Sequence, residues 1–183
     1  MHRYIAFLRG MNLGKRRLPM STLKAVFEGI GFTDVETFIA SGNVLFSSAV
    51  RDTSQLEAQI ARHLETSLGY AVDTFVRTTE EVAAIGGAKV FPEDGKEGMT
   101  IHVGFLQERL APKRAREFAA VRTREDEFRV KGREYYWLCR VRTSDSKVWT
   151  LPEIRALRLP TSTMRNMTSI RKLVAKHIAR GLN

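Results

Sequence analysis

Apolar residues recur along this chain in two rhythms, one near two residues and one near 3.6, and the switches between them mark the elements. Tyr4-Ile5-Ala6-Phe7-Leu8 is a continuous apolar run, the pattern of a strand buried on both faces. Leu23, Val26, Phe27 and Ile30 then fall at helical spacing. Pro19 suits the first turn and Gly31 the stop, so a helix is predicted from Pro19 or Met20 to Ile30. Asp34–Ile39 alternates polar and apolar residues, Ser41-Gly42-Asn43 reads as a turn, and Val44–Ser47 returns as a second strand. A second helix is expected from Ser54, with Glu57 completing a capping box and Leu56, Ile60, Leu64 and Leu68 on its buried side. Gly69 ends it, and Ala71–Val76 supplies another strand. Residues 3–78 therefore read β-α-β-β-α-β, the ferredoxin-like split β-α-β order.

The second half repeats this order less completely. Thr78 and Glu81 have capping-box spacing ahead of a short helix near Thr79. Phe91–Gly98 is polar and turn-rich, and marks the joint between subdomains. Met99–Leu106 reads as a strand and Pro112–Val121 as a helix. Glu127–Val130 and Glu134–Cys139 flank the hairpin turn Lys131-Gly132-Arg133. Helical character returns over Val148–Leu157, where Pro152 belongs in a first turn or at a kink. No terminal strand is read. A last helix spans Ser169 to Arg180, with Ile170, Leu173, Val174 and Ile178 as its apolar stripe. The expected fold is α+β: two ferredoxin-like (split β-α-β) subdomains with antiparallel sheets, at 1–90 and 91–183, plus a C-terminal helix.

Composition narrows the function classes. With 43% hydrophobic and 27% charged residues in 183, the chain reads as an ordinary globular protein. No apolar run reaches the roughly 20 residues that span a bilayer. Met1-His2-Arg3 runs straight into the first strand pattern, so a cytoplasmic protein with no membrane partner is expected. One cysteine and no zinc-like spacing leave no disulfide and no metal site to predict. The net charge is +10, and it is unevenly placed. Residues 1–108 hold 11 Lys/Arg against 13 Asp/Glu, whereas residues 109–183 hold 19 against 7. That asymmetry points to an anionic partner such as nucleic acid, docking on the C-terminal part. Arg129, Lys131 and Arg133 in the hairpin and Lys176 and Arg180 on the last helix are the candidate surface. Phe128, Tyr135, Tyr136 and Trp137 lie among those cations as a candidate platform for stacked bases.

A second candidate site comes from three polar segments. Leu8-Arg9-Gly10-Met11-Asn12-Leu13-Gly14 leaves the first strand carrying a guanidinium, a carboxamide and two glycines. It is neither a P-loop nor GxGxxG. Ser41-Gly42-Asn43-Val44-Leu45-Phe46 and Thr163-Met164-Arg165-Asn166, with Lys172-Leu173 following, have a similar composition. Arg9, Gly10, Asn12, Gly14, Ser41, Gly42, Asn43, Arg165, Asn166 and Lys172 would suit a planar anion or a nucleotide. The same residues also suit turns, caps and packing. No cofactor is called for and no catalytic residue is assigned, because the segments hold Ser41 without a histidine or aspartate beside it. Cys139, next to Arg140, has the setting of a lowered thiol pKa, against the more ordinary reading of a buried thiol. His63, His102 and His177 lie in regular structure and read as packed groups.

In order and spacing the three segments resemble the LRGINVGG, SGNVVF and TTRNWNTVxKL segments of a bacterial family known as domain of unknown function 1697. Ser146-Lys147 resembles a further element of it. The resemblance spans essentially the whole chain and implies two related ferredoxin-like halves. It implies no particular activity. Lys15 stands where the family's second glycine falls, and Met167 replaces the aromatic of its RNW segment. The functional expectation is non-catalytic binding of nucleic acid or a phosphate-bearing small molecule. The alternative is a small enzyme acting on a phosphorylated or carboxylated metabolite at the three-segment site. The sequence sets no oligomeric state.

Overall fold

A computed structural model describes residues 1–11, 18–38 and 42–179. The chain divides into two compact units, Met1–Ala84 and Ile85–Asn183. Each holds a four-stranded antiparallel sheet with helices, so the α+β reading with two similar halves stands.

In the first unit β1 (His2–Leu8), β2 (Thr33–Phe38), β3 (Asn43–Ser48) and β4 (Thr74–Thr78) are ordered β2-β3-β1-β4. Helices α1 (Met20–Gly29) and α2 (Thr53–Leu68) supply Leu23, Phe27, Leu56, Ile60 and Leu64 to one core with Tyr4, Ala6, Val44, Phe46 and Val76 of the sheet. Fully burying a leucine or phenylalanine stabilises by about 1.5–3 kcal/mol, so this face dominates the unit. β1 is buried from Tyr4 to Leu8 and β3 throughout, which accounts for their unbroken apolar runs. Edge strand β2 departs from the alternation expected of it: its buried members, Val35 and Phe38, are three residues apart, and its register on β3 shifts between Thr33 and Glu36.

Of the two capping boxes that the spacing offers, one forms. Thr78 and Glu81 form a reciprocal capping box: Glu81 accepts from Thr78 N at 2.8 Å, and Thr78 Oγ1 from Glu81 N at 3.1 Å. The box expected at Ser54 and Glu57 is absent. Asp52 caps α2 by accepting from Ser54 N at 2.9 Å, and Glu57 is turned into the unit. There its Oε1 accepts from Val76 N at 2.8 Å. β4 is an edge strand, so this backbone N–H needs a partner from outside the sheet. Arg77, fully buried, brings Nη1 to 3.8 Å from the same oxygen and donates to the Val76 carbonyl at 2.9 Å.

The second unit repeats the strand order as β6-β7-β5-β8, with β5 (Thr100–Phe105), β6 (Asp126–Lys131), β7 (Glu134–Cys139) and β8 (Thr163–Asn166). β8 is the terminal strand that the sequence did not disclose. It pairs antiparallel with β5, Phe105 opposite Thr163 and His102 opposite Asn166. Its residues, Thr-Met-Arg-Asn, carry no apolar alternation. Helix α3 (Thr79–Gly87) leads into this unit, and α4 (Pro112–Ala120) packs over β6. The segment Val148–Leu157 breaks in two, a 3-10 turn at Val148–Thr150 and a short helix α5 (Pro152–Ala156) opened by its proline. The C-terminal helix α6 begins at Met167 and continues past Leu173 as a π turn, Val174–Ile178.

One glycine in this sheet is dictated by packing. A Cβ on Gly104 would lie 2.0 Å from Cζ of Tyr135, its partner across the β5–β7 ladder. The tyrosine ring lies over the bare backbone, and its hydroxyl shares a hydrogen bond with Ser162 Oγ at 2.9 Å. Gly104→Ala is expected to lower stability by about 1–3 kcal/mol through overpacking. Gly87→Ala, where a Cβ meets nothing within 4 Å, should be neutral or stabilising by a few tenths of a kcal/mol. Denaturant unfolding of both variants checks this; equal midpoints would refute the packing argument.

Candidate functional site

The three polar segments divide between the units, the first two in one and the third in the other. The first two meet. Leu8 N donates to the Gly42 carbonyl at 2.8 Å. Gly42 has φ +77°, and a Cβ there would stand 3.0 Å from the Met11 side chain and 3.2 Å from that of Leu8. Asn43 is buried, and its amide donates to the Phe38 carbonyl at 3.0 Å, closing the β2–β3 hairpin from inside. Gly10 takes φ +72°, which the chain uses to leave β1. Arg9 is exposed, and its Nη1 lies 3.4 Å from Asp73 Oδ2. The carboxylate beside it competes with any incoming anion. Asn12, Gly14, Lys15 and Ser41 lie outside the described residues.

In the second unit the matching residues also serve the architecture. Arg165 is buried on β8, where Nη1 donates to Thr163 Oγ1 at 2.7 Å and to the Met164 carbonyl at 2.9 Å. Burial pulls its pKa down to about 10. Asn166 caps α6 by accepting from Thr168 N at 2.8 Å, and Met167 is buried behind it. A small polar cleft of about 260 Å³ runs beside this cap, lined by Asp94, Lys96, Thr100, Asn166, Thr168 and Arg171 among others. Arg171 donates to both carboxylate oxygens of Asp94, at 3.0 Å to Oδ1, and to the Gly86 carbonyl at 3.3 Å. Lys172 stands exposed on α6.

A buried carboxylate that sequence reasoning passed over organises the middle of this unit. Asp126 accepts from Trp137 Nε1 at 2.8 Å, Ser146 Oγ at 2.8 Å and Thr123 Oγ1 at 2.9 Å. The signal was available in part, since Ser146 belongs to a segment singled out above. The aromatic residues expected as a platform are core. Phe128, Tyr135 and Trp137 join Phe118 in one buried cluster, and Tyr136 is buried on the opposite face, its hydroxyl pushed up to about 12 by burial and then by Glu134. Base stacking on the hairpin is therefore corrected: the rings face inward because β7 is a central strand covered on both sides. Cys139 is fully buried, its thiol donating to the Val141 carbonyl at 3.3 Å. Burial pushes its pKa up. The ordinary reading of a buried thiol holds, and the neighbouring Arg140 is engaged by Glu93 at 3.0 Å and Glu127 at 2.9 Å.

The cations fall into two groups. Arg122, Arg129 and Arg140 converge on Glu127, and Arg129 also lies 5.0 Å from the centre of the Phe91 ring. Arg109, Arg114, Arg116, Arg124, Lys131, Arg155 and Arg158 are exposed and form no ion pair among the described residues. Several come together around α4. Its inner side is Ala115, Phe118 and Val121, which leaves Lys113, Arg114 and Arg116 outside. The hairpin tip joins them, because Leu106 N donates to the Arg133 carbonyl at 2.9 Å and Arg133 Nη1 to the Gln107 carbonyl at 3.5 Å. Lys131 and Arg133 thus sit beside the loop that carries Arg109 into α4. Lys176 is exposed on the final helical segment, and Arg180 lies outside the described residues. Among the described residues no group of three or more His, Cys, Asp or Glu is arranged to hold a metal ion, and no helix is long and apolar enough to cross a membrane.

Fold and surface define a two-unit α+β protein whose second unit is basic and whose polar segments are largely built into the sheets. The chain belongs to the family described as "Protein of unknown function (DUF1697)", whose model matches residues 1–136. It is similar to a solved structure, that of the conserved bacterial protein SP0830 from Streptococcus pneumoniae, with 20% identity and a TM-score of 0.73 over 96% of this chain and 99% of that one. At that identity the likeness concerns the fold. No curated protein matches the chain.

His102 gives this unit a pH response. Its ring stacks on Trp137 at 5.0 Å, and Nδ1 is buried with no hydrogen-bond partner among the described residues. Burial lowers its pKa below the ordinary 6.5. The unfolded chain then takes up a proton at a higher pH than the folded one, so stability is present above about pH 6.5 and is lost as pH falls through the folded pKa. His102→Gln should flatten the loss of unfolding free energy between pH 7.5 and pH 5. An unchanged pH slope in urea titrations would refute the assignment.

Proposed function

We propose that this protein binds nucleic acid without catalysing a reaction, through the basic surface of its second unit. The observation that carries the reading is that Arg109, Arg114, Arg116 and Lys131, exposed around α4 and the β6–β7 tip, form no ion pair among the described residues, beside Lys113, which meets Glu117 in solvent at 3.9 Å. Net charge by itself informs on solubility and association. Here the unit has used its acids selectively: Glu93, Asp94 and Glu127 hold Arg140, Arg171, Arg122 and Arg129, while Arg109, Arg114, Arg116, Arg124, Arg155 and Arg158 face solvent. Phosphate oxygens match that donor geometry. A metabolite enzyme at the polar segments draws less support, since Asn43, Arg165 and Asn166 are engaged by their own strands and caps.

Fluorescence anisotropy with a labelled 20-base-pair duplex tests this. Binding should weaken steeply with salt, with a slope of log K on log salt near −0.9 for each phosphate contacted. Arg109→Ala/Lys113→Ala/Arg116→Ala should weaken binding at least tenfold and reduce the slope by about one per lost contact, with an unchanged circular dichroism spectrum. Binding that ignores both salt and these substitutions would refute the reading.

A further inference from the structure

We infer that the basic surface of the second unit reads the phosphate backbone of a duplex and does not bind single strands. This rests on the nucleic-acid reading above and sharpens it.

The inference comes from what the surface lacks. Proteins that hold single strands combine a basic groove with aromatic side chains on which successive bases stack. In this unit every candidate ring is spent on the core. Phe118, Phe128, Tyr135 and Trp137 are at most 3% exposed. Half-buried Trp149 is turned edge-on into the same cluster, with ring centres 5.3 Å from Phe128 and 5.5 Å from Trp137. Among the described residues of the whole chain, the large hydrophobic side chains that stand exposed are Met1 and Met164.

What remains is charge on regular structure. α4 is held to the sheet by Phe118, and the hairpin tip by the ladder bonds of β6 and β7 and by the Leu106–Arg133 bond. Cations fixed on such a frame gain most from a partner whose phosphates are dense and stiffly arranged. A duplex presents one charge per about 1.7 Å of axis, counting both strands, which is twice the density of one strand at the same rise. A flexible strand would have to be ordered on this surface without stacking to offset the lost freedom.

The experiment compares one 20-base-pair DNA duplex, its two separated strands, oligo-dT and oligo-dA, an RNA duplex of the same length and a second DNA duplex of unrelated sequence, all at one salt concentration. The result expected is duplex binding at least fivefold tighter than either strand, for both DNA duplexes. Heparin should compete in proportion to its charge, and the DNA and RNA duplex arms distinguish B-form from A-form backbones as the preferred source of phosphates. Single strands binding as tightly as the duplex, or oligo-dT and oligo-dA differing severalfold, would overturn the duplex inference while leaving nucleic-acid binding in place. If none of the oligonucleotides binds, the proposed function itself falls. Arg109→Ala/Lys113→Ala/Arg116→Ala, run in parallel, shows whether any binding seen uses this surface; duplex binding indifferent to it would also overturn the inference.

Discussion

Each unit of this protein contains a buried carboxylate, and burying such a charge is tolerable only where donors converge on it. Glu57 in the first unit and Asp126 in the second meet the requirement differently. Glu57 reaches from α2 to an edge strand, accepts its Val76 N–H and lies beside a fully buried Arg77. Asp126 opens β6 and gathers an indole and two hydroxyls, from β7, from the loop after α4 and from the segment preceding the 3-10 turn. Both fix elements that apolar burial alone would leave free to slide, because a hydrogen bond demands a position and a hydrophobic contact does not. Removing one partner of such an arrangement leaves an uncompensated charge, at a cost of about 3–5 kcal/mol for a buried pair. The sheets, and whatever stands on their surfaces, inherit that precision.

The sequence disclosed the elements whose signal is local and missed those fixed from elsewhere. Leu23 and Phe27, or Ile60 and Leu64, repeat at 3.6 residues because one side of a helix is buried, and that can be read without knowing what lies beneath. β8 was invisible for the complementary reason. Thr163-Met164-Arg165-Asn166 is a strand because β5 offers it a ladder, and its buried members are a threonine and an arginine. Glu57 satisfied a capping-box spacing yet serves β4 instead, since Asp52 was already placed to cap the helix. Spacing defines what a side chain can do; competition among partners decides what it does.

The same competition explains why the candidate sites were legible unevenly. Asn43, Arg165 and Asn166 have the chemistry of ligand groups and spend it on a hairpin, a strand and a cap. Tyr135 and Trp137 alternate with Tyr136 as a strand must, so their inward direction was half readable, while the burial of both faces of β7 was not. The excess of arginine was plain from composition. Which arginines were neutralised required Glu127, whose three guanidinium neighbours come from the α4–β6 connection, from its own strand and from the end of β7.

That division of cations is where structure and the proposed function touch. Like charges held together on a folded surface repel, and a domain relieves the strain by pairing them with its own acids or by recruiting counterions. This unit pairs Arg140 and Arg171, both part-buried, where an unpartnered charge would cost more than in solvent. It leaves Arg109, Arg114 and Arg116 in solvent, where each costs little and keeps a mobile ion atmosphere. Such an atmosphere is released when a polyanion takes its place, and the released ions supply the driving force for association. The cations that hold the fold and those offered to a partner are therefore separate sets. Altering the second set should change binding without disturbing the first, and that separability is what makes the basic surface a testable site.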